Sequence, residues 1–250
     1  MIRIFYCIYQ LVVCLPLIIL ATIATAISTI IGCTIGNGDF WSFIPPRNWS
    51  RFICQILFIP VKVEGMEKLD PKQSYIFISN HQGAFDIWLI YGYLGRNFKW
   101  LMKAELEKIP LVGKACRKAN HIFVERGKKD SAKQTYDTAR NILRSGMSVC
   151  VFPEGTRTKT GRMGVFKKGA FVFAETLQLP IVPMTINGSF NILPSTKGVS
   201  FVHRHPLTLT IHEPIAYSSD NNIQTVISKS HEIIESALHN KDVIGKDDEN

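Results

Sequence analysis

No two of the six cysteines, Cys7, Cys14, Cys33, Cys54, Cys116 and Cys150, form a C-x-x-C pair. With neither pairs nor a dense framework, the chain does not look like a disulfide scaffold. Its thiols read as reduced and buried in a cytosol-facing protein. The histidines His121, His203, His205, His212, His231 and His239 show no H-E-x-x-H or similar ligand spacing, so no metal site is expected. Internal repeats and low-complexity segments are also missing, and 250 residues can bury a sizeable core as one domain with an appendage. Acidic residues are comparatively few. Lys and Arg (29) outnumber Asp and Glu (20), for a net charge of +9. Nucleic acid, anionic lipid or a phosphorylated small molecule would each answer that surplus, and so would a merely soluble basic surface.

The longest absence is of charge itself: residues 4–38 hold no Asp, Glu, Lys or Arg. Such a run exceeds the ~20 apolar residues that cross a bilayer as a helix. Ala24-Thr25-Ala26 resembles a signal-peptide cleavage site. The apolar run nevertheless continues through Ile27, Ile30, Ile31 and Ile35, which favours a retained anchor. Pro16 and the glycines at 32, 36 and 38 leave open one tilted span or a bent, half-inserted hairpin. Aromatics and arginines interleave over 40–51, which suits a headgroup layer or a loop capping the soluble core. Arg3 on one side and Arg47 and Arg51 on the other leave the positive-inside rule indecisive.

Beyond residue 60 short β-like runs alternate with helical ones. The runs predict strands at 61–63, 75–79, 98–102, 121–124, 148–152, 181–186 and 207–211. Several are near-continuous apolar runs, as strands buried on both faces require. Helices are expected over 87–94, over 131–144 behind a capping box at Ser131–Gln134, over 169–178, and toward the end from Ile223 to Leu238. The expected fold is therefore α/β, a mostly parallel sheet flanked by helices, preceded by an apolar membrane-anchoring segment. The divisions expected are 1–60 for the anchor and interfacial segment, 61–244 for the folded domain, and 245–250 for a polar tail.

Three polar loops follow three buried strands. The first is Asn80-His81-Gln82-Gly83-Ala84-Phe85-Asp86. A carboxylate beside a histidine orients a neutral imidazole to take a proton from a weak nucleophile. Five positions along an unbroken helix lie 140° apart at about 100° per residue, so the backbone must turn between His81 and Asp86, plausibly at Gln82-Gly83. Alone, the pair could equally be a satisfied polar contact at a helix start. The second loop, Phe152-Pro153-Glu154-Gly155-Thr156-Arg157-Thr158, is followed by Lys159, Arg162, Lys167 and Lys168. Gly155 permits close backbone approach, and Arg157 carries the planar fork that matches phosphate oxygens. The third is Phe123-Val124-Glu125-Arg126-Gly127 with Lys128 and Lys129. Each basic cluster taken singly also reads as a solvated loop.

Together with Lys103–Gly113 and Ile181-Val182-Pro183, these loops stand in the order of the four motif blocks of the glycerophospholipid acyltransferases. Over residues 61–185 the chain resembles that family, and most of all its bacterial 1-acyl-glycerol-3-phosphate acyltransferases, which make phosphatidic acid. No block is broken, although Thr158 stands where many members have Ser. The resemblance implies that His81 is the general base on the acceptor hydroxyl and that Asp86 fixes its tautomer. It implies acceptor binding by Glu154, Gly155, Thr156 and Arg157, with Arg157 and Arg126 on the phosphate, Lys103 assisting, and Pro183 structural. It further implies a lysophosphatidic acid acceptor, acyl-CoA or acyl carrier protein as donor with no other cofactor, and a cytosol-facing site on the inner membrane. A nucleic-acid partner would explain the charge but neither the anchor nor the His–Asp pair. Glycerol 3-phosphate or another lysophospholipid as acceptor, a thioesterase, and a non-catalytic lipid binder are the rival readings. Cys116 and Cys150 raise the question of a thiol nucleophile, and the buried strand around Cys150 argues for direct transfer instead.

Overall fold

The computed structural model describes residues 2–124, 139–140, 147–194, 200–216, 218 and 222–239. Seven strands form one sheet: β1 (Val61–Glu64), β2 (Ile76–Ser79), β3 (Phe98–Lys103), β4 (Ile122–Val124), β5 (Ser148–Val151), β6 (Ile181–Asn187) and β7 (Leu207–Ile211). Their order is β1-β7-β6-β2-β5-β3-β4, and every neighbouring pair is parallel except β6–β7. Burial follows position. β2, β5 and β6 are buried at every residue, as central parallel strands must be, whereas the edge strand β1 alternates. Pro183 sits inside β6 opposite Ile78, and its carbonyl accepts from His212 N.

Alternate residues of β2 and β5 feed two cores, one on each face of the sheet. Phe77 and Cys150 point to the first, which also takes Phe85, Leu89 and Ile90 of helix α5 (Phe85–Tyr93). Ile76, Ile78, Val149 and Val151 point to the second, closed by α6 (Gly169–Leu177) and α7 (Ile223–Ser236). The helix expected over 131–144 lies outside the described residues except at Ala139 and Arg140.

The N-terminal segment is a hairpin of helices. Helix α1 (Ile2–Tyr9), a π-helical turn (Gln10–Cys14) and α2 (Leu15–Ile35) run without a break, so that Arg3–Ile35 is apolar and long enough to cross a membrane. After Gly36 the short α3 (Gly38–Trp41) reverses the chain, and α4 (Ile44–Ile56) returns along α2. The glycines make the reversal possible: a Cβ at Gly32 would overlap the Trp41 ring, which packs there. Trp49 Nε1 donates to Thr22 Oγ1 at 3.0 Å, and Tyr6 and Tyr9 donate their hydroxyls to the carbonyls of Leu57 and Ile56 at 2.7 and 2.9 Å. Gln10 is buried and clasps the backbone of Val202 through both amide atoms, at 2.9 and 2.8 Å. Of the two forms the sequence leaves open, the helices here fold back as a bent hairpin. Residues 40–51 cover the end of α3, the turn at Ser42-Phe43 and the start of α4, and α4 caps the first core with Ser50, Ile53 and Cys54 buried and Arg51 Nε bonded to Gly92 O at 2.7 Å.

A buried polar joint ties this hairpin to the sheet. Tyr91 Oη donates to Ser42 O at 3.0 Å and accepts from His121 Nε2 at 3.1 Å, while His121 Nδ1 accepts from Trp100 N at 3.2 Å. Lys99 Nζ donates to Ser42 Oγ at 2.9 Å. Burial, aided by Lys99, lowers the His121 imidazole to about 3, so the ring is neutral and its tautomer is set by the Trp100 amide.

Candidate active site

The site forms where β2 and β5 end, at the carboxyl edge of the parallel strands. Asn80 is fully buried and stitches the end of β2 to β6, its amide exchanging bonds with Ile186 O and Ile186 N at 2.9 and 2.8 Å. The chain then turns sharply. Asp86, in the first turn of α5 and fully buried, accepts from the backbone N–H of Gln82 and Gly83 at 2.7 and 2.9 Å and from His81 Nδ1 at 2.7 Å, all at Oδ2. Only a glycine fits at 83, because a Cβ there would lie 2.6 Å from Ser189 Oγ and 2.9 Å from Ser189 O. The five-residue spacing is therefore closed by the turn expected at Gln82-Gly83. Because Nδ1–H of His81 donates to the Asp86 carboxylate, Nε2 is left as the basic nitrogen.

Glu154 sits behind this turn, 7% exposed. One carboxylate oxygen accepts from His81 N at 2.7 Å and the other from Gly164 N at 2.8 Å. Burial pushes its carboxyl upward, and the two amide donors pull against that shift. The side chain thus clamps the loop of residues 155–165 to the histidine. Thr158 N completes the tie by donating to His81 O at 2.9 Å. Gly155 turns the loop in the left-handed region at φ +73°. Thr156 and Arg157 emerge exposed, Arg157 one residue from the bond to His81. Lys103 is exposed at the end of β3. Arg126 lies outside the described residues.

Sequence spacing missed two aromatic residues. Phe152 stacks face to face on the His81 ring, centroids 3.8 Å apart and planes 8° apart, and Trp100 lies behind Phe152 at 5.6 Å and 23°. No periodicity marks such a stack; the one signal was that Phe152 ends a buried run beside Pro153-Glu154. The thiols are poor nucleophiles. Cys150 is fully buried and burial raises it well above its usual value, and burial pushes Cys116 up to about 11.

A buried carboxylate, a histidine bonded to it through one ring nitrogen and an adjoining loop with an exposed arginine have the chemistry to abstract a proton and to bind an anion. Comparison with known proteins agrees with this class. Residues 60–187 match the Acyltransferase family. The chloroplastic 1-acyl-sn-glycerol-3-phosphate acyltransferase of Arabidopsis thaliana is 34% identical over 177 residues, 68% of this chain and 49% of its own length. The Saccharomyces cerevisiae 1-acyl-sn-glycerol-3-phosphate acyltransferase is 30% identical over 193 residues, 76% of this chain and 63% of its own. The crystal structure of the 1-acyl-sn-glycerophosphate (LPA) acyltransferase PlsC from Thermotoga maritima superposes with a TM-score of 0.66 at 28% identity, over 76% of each chain. The chain belongs to this acyltransferase family. It spans about half the length of the curated plant relatives it matches.

Proposed function

We propose that the protein transfers a fatty acyl group from an acyl thioester to the free sn-2 hydroxyl of 1-acyl-glycerol 3-phosphate, giving phosphatidic acid. The observation that carries this reading is the Asp86–His81 pair, with Nδ1 held at 2.7 Å by a fully buried carboxylate and Nε2 left basic. The relatives of plant, yeast and bacterial origin, each named for lysophosphatidic acid acylation, supply the acceptor.

In this mechanism Nε2 takes the hydroxyl proton as the acceptor oxygen attacks the thioester carbonyl carbon. The tetrahedral oxyanion collapses, the carbon–sulfur bond breaks, and the leaving thiolate receives the proton from the His81 imidazolium. Asp86 stays ionised and steadies the imidazolium between those two transfers. Arg157, Lys103 and Arg126 supply cations for the acceptor phosphate, and Arg157 is the best seated because its loop is bonded to His81. Coenzyme A and acyl carrier protein are both compatible donors. The membrane seat follows from the hairpin. Tyr6, Tyr9, Gln10 and Thr22 of Arg3–Ile35 are bonded to the rest of the chain, and Ile4, Ile8, Leu15, Ile19, Ile23, Ile27, Ile31 and Ile35 form an exposed stripe that winds around the helix. A helix so docked supports seating lengthwise in one leaflet, and the location we propose is the inner membrane with the catalytic domain on the cytosolic side.

The test is an acyl-transfer assay with purified protein across phosphorylated and unphosphorylated acceptors and both donor types. Thioester loss that requires lysophosphatidic acid and yields phosphatidic acid is expected. Equal loss without any acceptor would make the protein a thioesterase, and a preference for glycerol 3-phosphate would move it to the preceding acylation.

A further inference from the structure

Hydrogen bonding alone does not fix the His81 ring. The bond from Nδ1 to Asp86 Oδ2 pins one atom of the imidazole and leaves the ring plane free to rock about that contact. What sets the plane is Phe152, stacked at 3.8 Å and 8° from parallel. Phe152 is backed in turn by Trp100 at 5.6 Å. Trp100 is itself immobile: 6% exposed, in β3, with its amide bonded to the buried His121. The result is a three-ring column anchored in the sheet, with His81 as its outermost member.

We propose that Phe152 is a positioning residue of the transfer reaction, its ring holding the imidazole plane and stabilising the imidazolium that forms on proton abstraction. Two physical effects act together. Dispersion between parallel rings restricts the direction in which Nε2 points, and a small misalignment of a base costs rate steeply. In addition, the negative face of a phenyl ring attracts a cation placed over it, and that attraction grows as the imidazole takes up its proton. The charged groups that face His81 among the described residues are Asp86 from the start of α5 and Glu154 from the loop after β5. Both carboxyl groups touch its edge or its backbone, and neither covers the ring face on which Phe152 stacks. The inference rests on the transferase reading for its kinetic consequence, although the stack itself does not.

The experiment compares F152L, F152Y and W100L with wild type in steady-state acyl transfer, and follows the His81 ring protons by NMR in protein labelled at histidine. A ring stacked on phenyl has its protons shifted upfield by the ring current. The upfield signal is expected in wild type and F152Y and absent in F152L. The kcat of F152L should fall about tenfold with KM for both substrates within about twofold, and F152Y should recover most of it. W100L, which leaves Phe152 in place but unsupported, should fall between. Should F152L fail to fold, the contrast between F152Y and W100L decides. F152L with unchanged kcat, or F152Y as impaired as F152L, would overturn the proposal. Absence of the upfield signal in wild type would remove the stack itself, and absence of transfer by wild type would instead remove the functional reading.

Discussion

Glu154 is the residue whose role the structure changes most. Its motif position implies contact with the acceptor, yet both carboxylate oxygens are taken up by backbone N–H groups, at 2.7 and 2.8 Å. Its sequence neighbours Gly155, Thr156 and Arg157 carry the exposed loop; Glu154 fastens that loop to His81. Glu154→Gln would force an amide nitrogen toward one of those donors, leaving a buried N–H unmet at a cost of about 1–3 kcal/mol. The melting temperature should drop by several degrees and kcat should fall, whereas KM for the acyl donor should hold. A variant that melts as wild type does would contradict the clamp. The His–Asp pair itself was readable in the residues, because two chemical groups and a glycine at fixed spacing leave a trace in sequence. The Phe152 column was not, since a stack depends on how β2, β3 and β5 line up in the sheet. The thiols make a second point at this scale. With Cys150 fully buried and Cys116 raised to about 11, denaturing mass spectrometry after incubation with acyl donor alone should show no protein heavier by one acyl group. A stoichiometric adduct, lost on adding acceptor, would replace direct transfer by a two-step exchange.

At the scale of elements, all seven expected strands are present; β2, β5 and β6, buried on both faces, carry a strong apolar signature, whereas β1 and β7 alternate. The antiparallel pairing of β7 with β6 was not readable, since strand direction is set by the intervening crossover and not by composition. The helix α4 also escaped, its Pro45-Pro46 and scattered arginines resembling a loop, although prolines are tolerated in a first helical turn. Among the contacts that hold α4 and the hairpin to the domain is the joint at Ser42, Tyr91, Lys99 and His121, and this joint titrates. His121 is about 3 when folded and near 6.5 when exposed. The unfolded state therefore binds the extra proton between those values, and stability falls as pH drops through that window. The full effect is on the order of 5 kcal/mol. Urea midpoints measured from pH 7 to pH 4 should decline in wild type and decline less in His121→Phe, which is less stable at pH 7 but lacks the titration. Parallel slopes would show that His121 is not the acid-sensitive group.

For the whole molecule, the controlling feature is that an apolar helix of 33 residues is bonded to its own domain. A lone transmembrane span could not keep those bonds while crossing a bilayer. Composition pointed to an anchor and left its geometry open, because a span and a docked hairpin have the same apolar content. The exposed stripe gives a direct handle. Ile8, Ile19 and Ile23 are 52%, 50% and 41% exposed, so replacing all three by Lys should leave the fold intact and release the protein from membranes into the soluble fraction. Truncation of residues 1–38 would be a poorer test, since it also strips Tyr6, Tyr9 and Gln10 from the domain they are bonded to. A triple variant that stays fully membrane-bound would move the attachment to the basic surface. The central claim, that His81 held by Asp86 removes the proton from the acceptor hydroxyl, is tested most directly by the turnover of His81→Ala. Purified wild-type and variant protein, matched for folding by thermal melt, would be given acyl thioester and 1-acyl-glycerol 3-phosphate, with phosphatidic acid as the readout. Phosphatidic acid from wild type and a loss of at least about 10²-fold in His81→Ala is the expected result. A variant that keeps most of its turnover would contradict the mechanism.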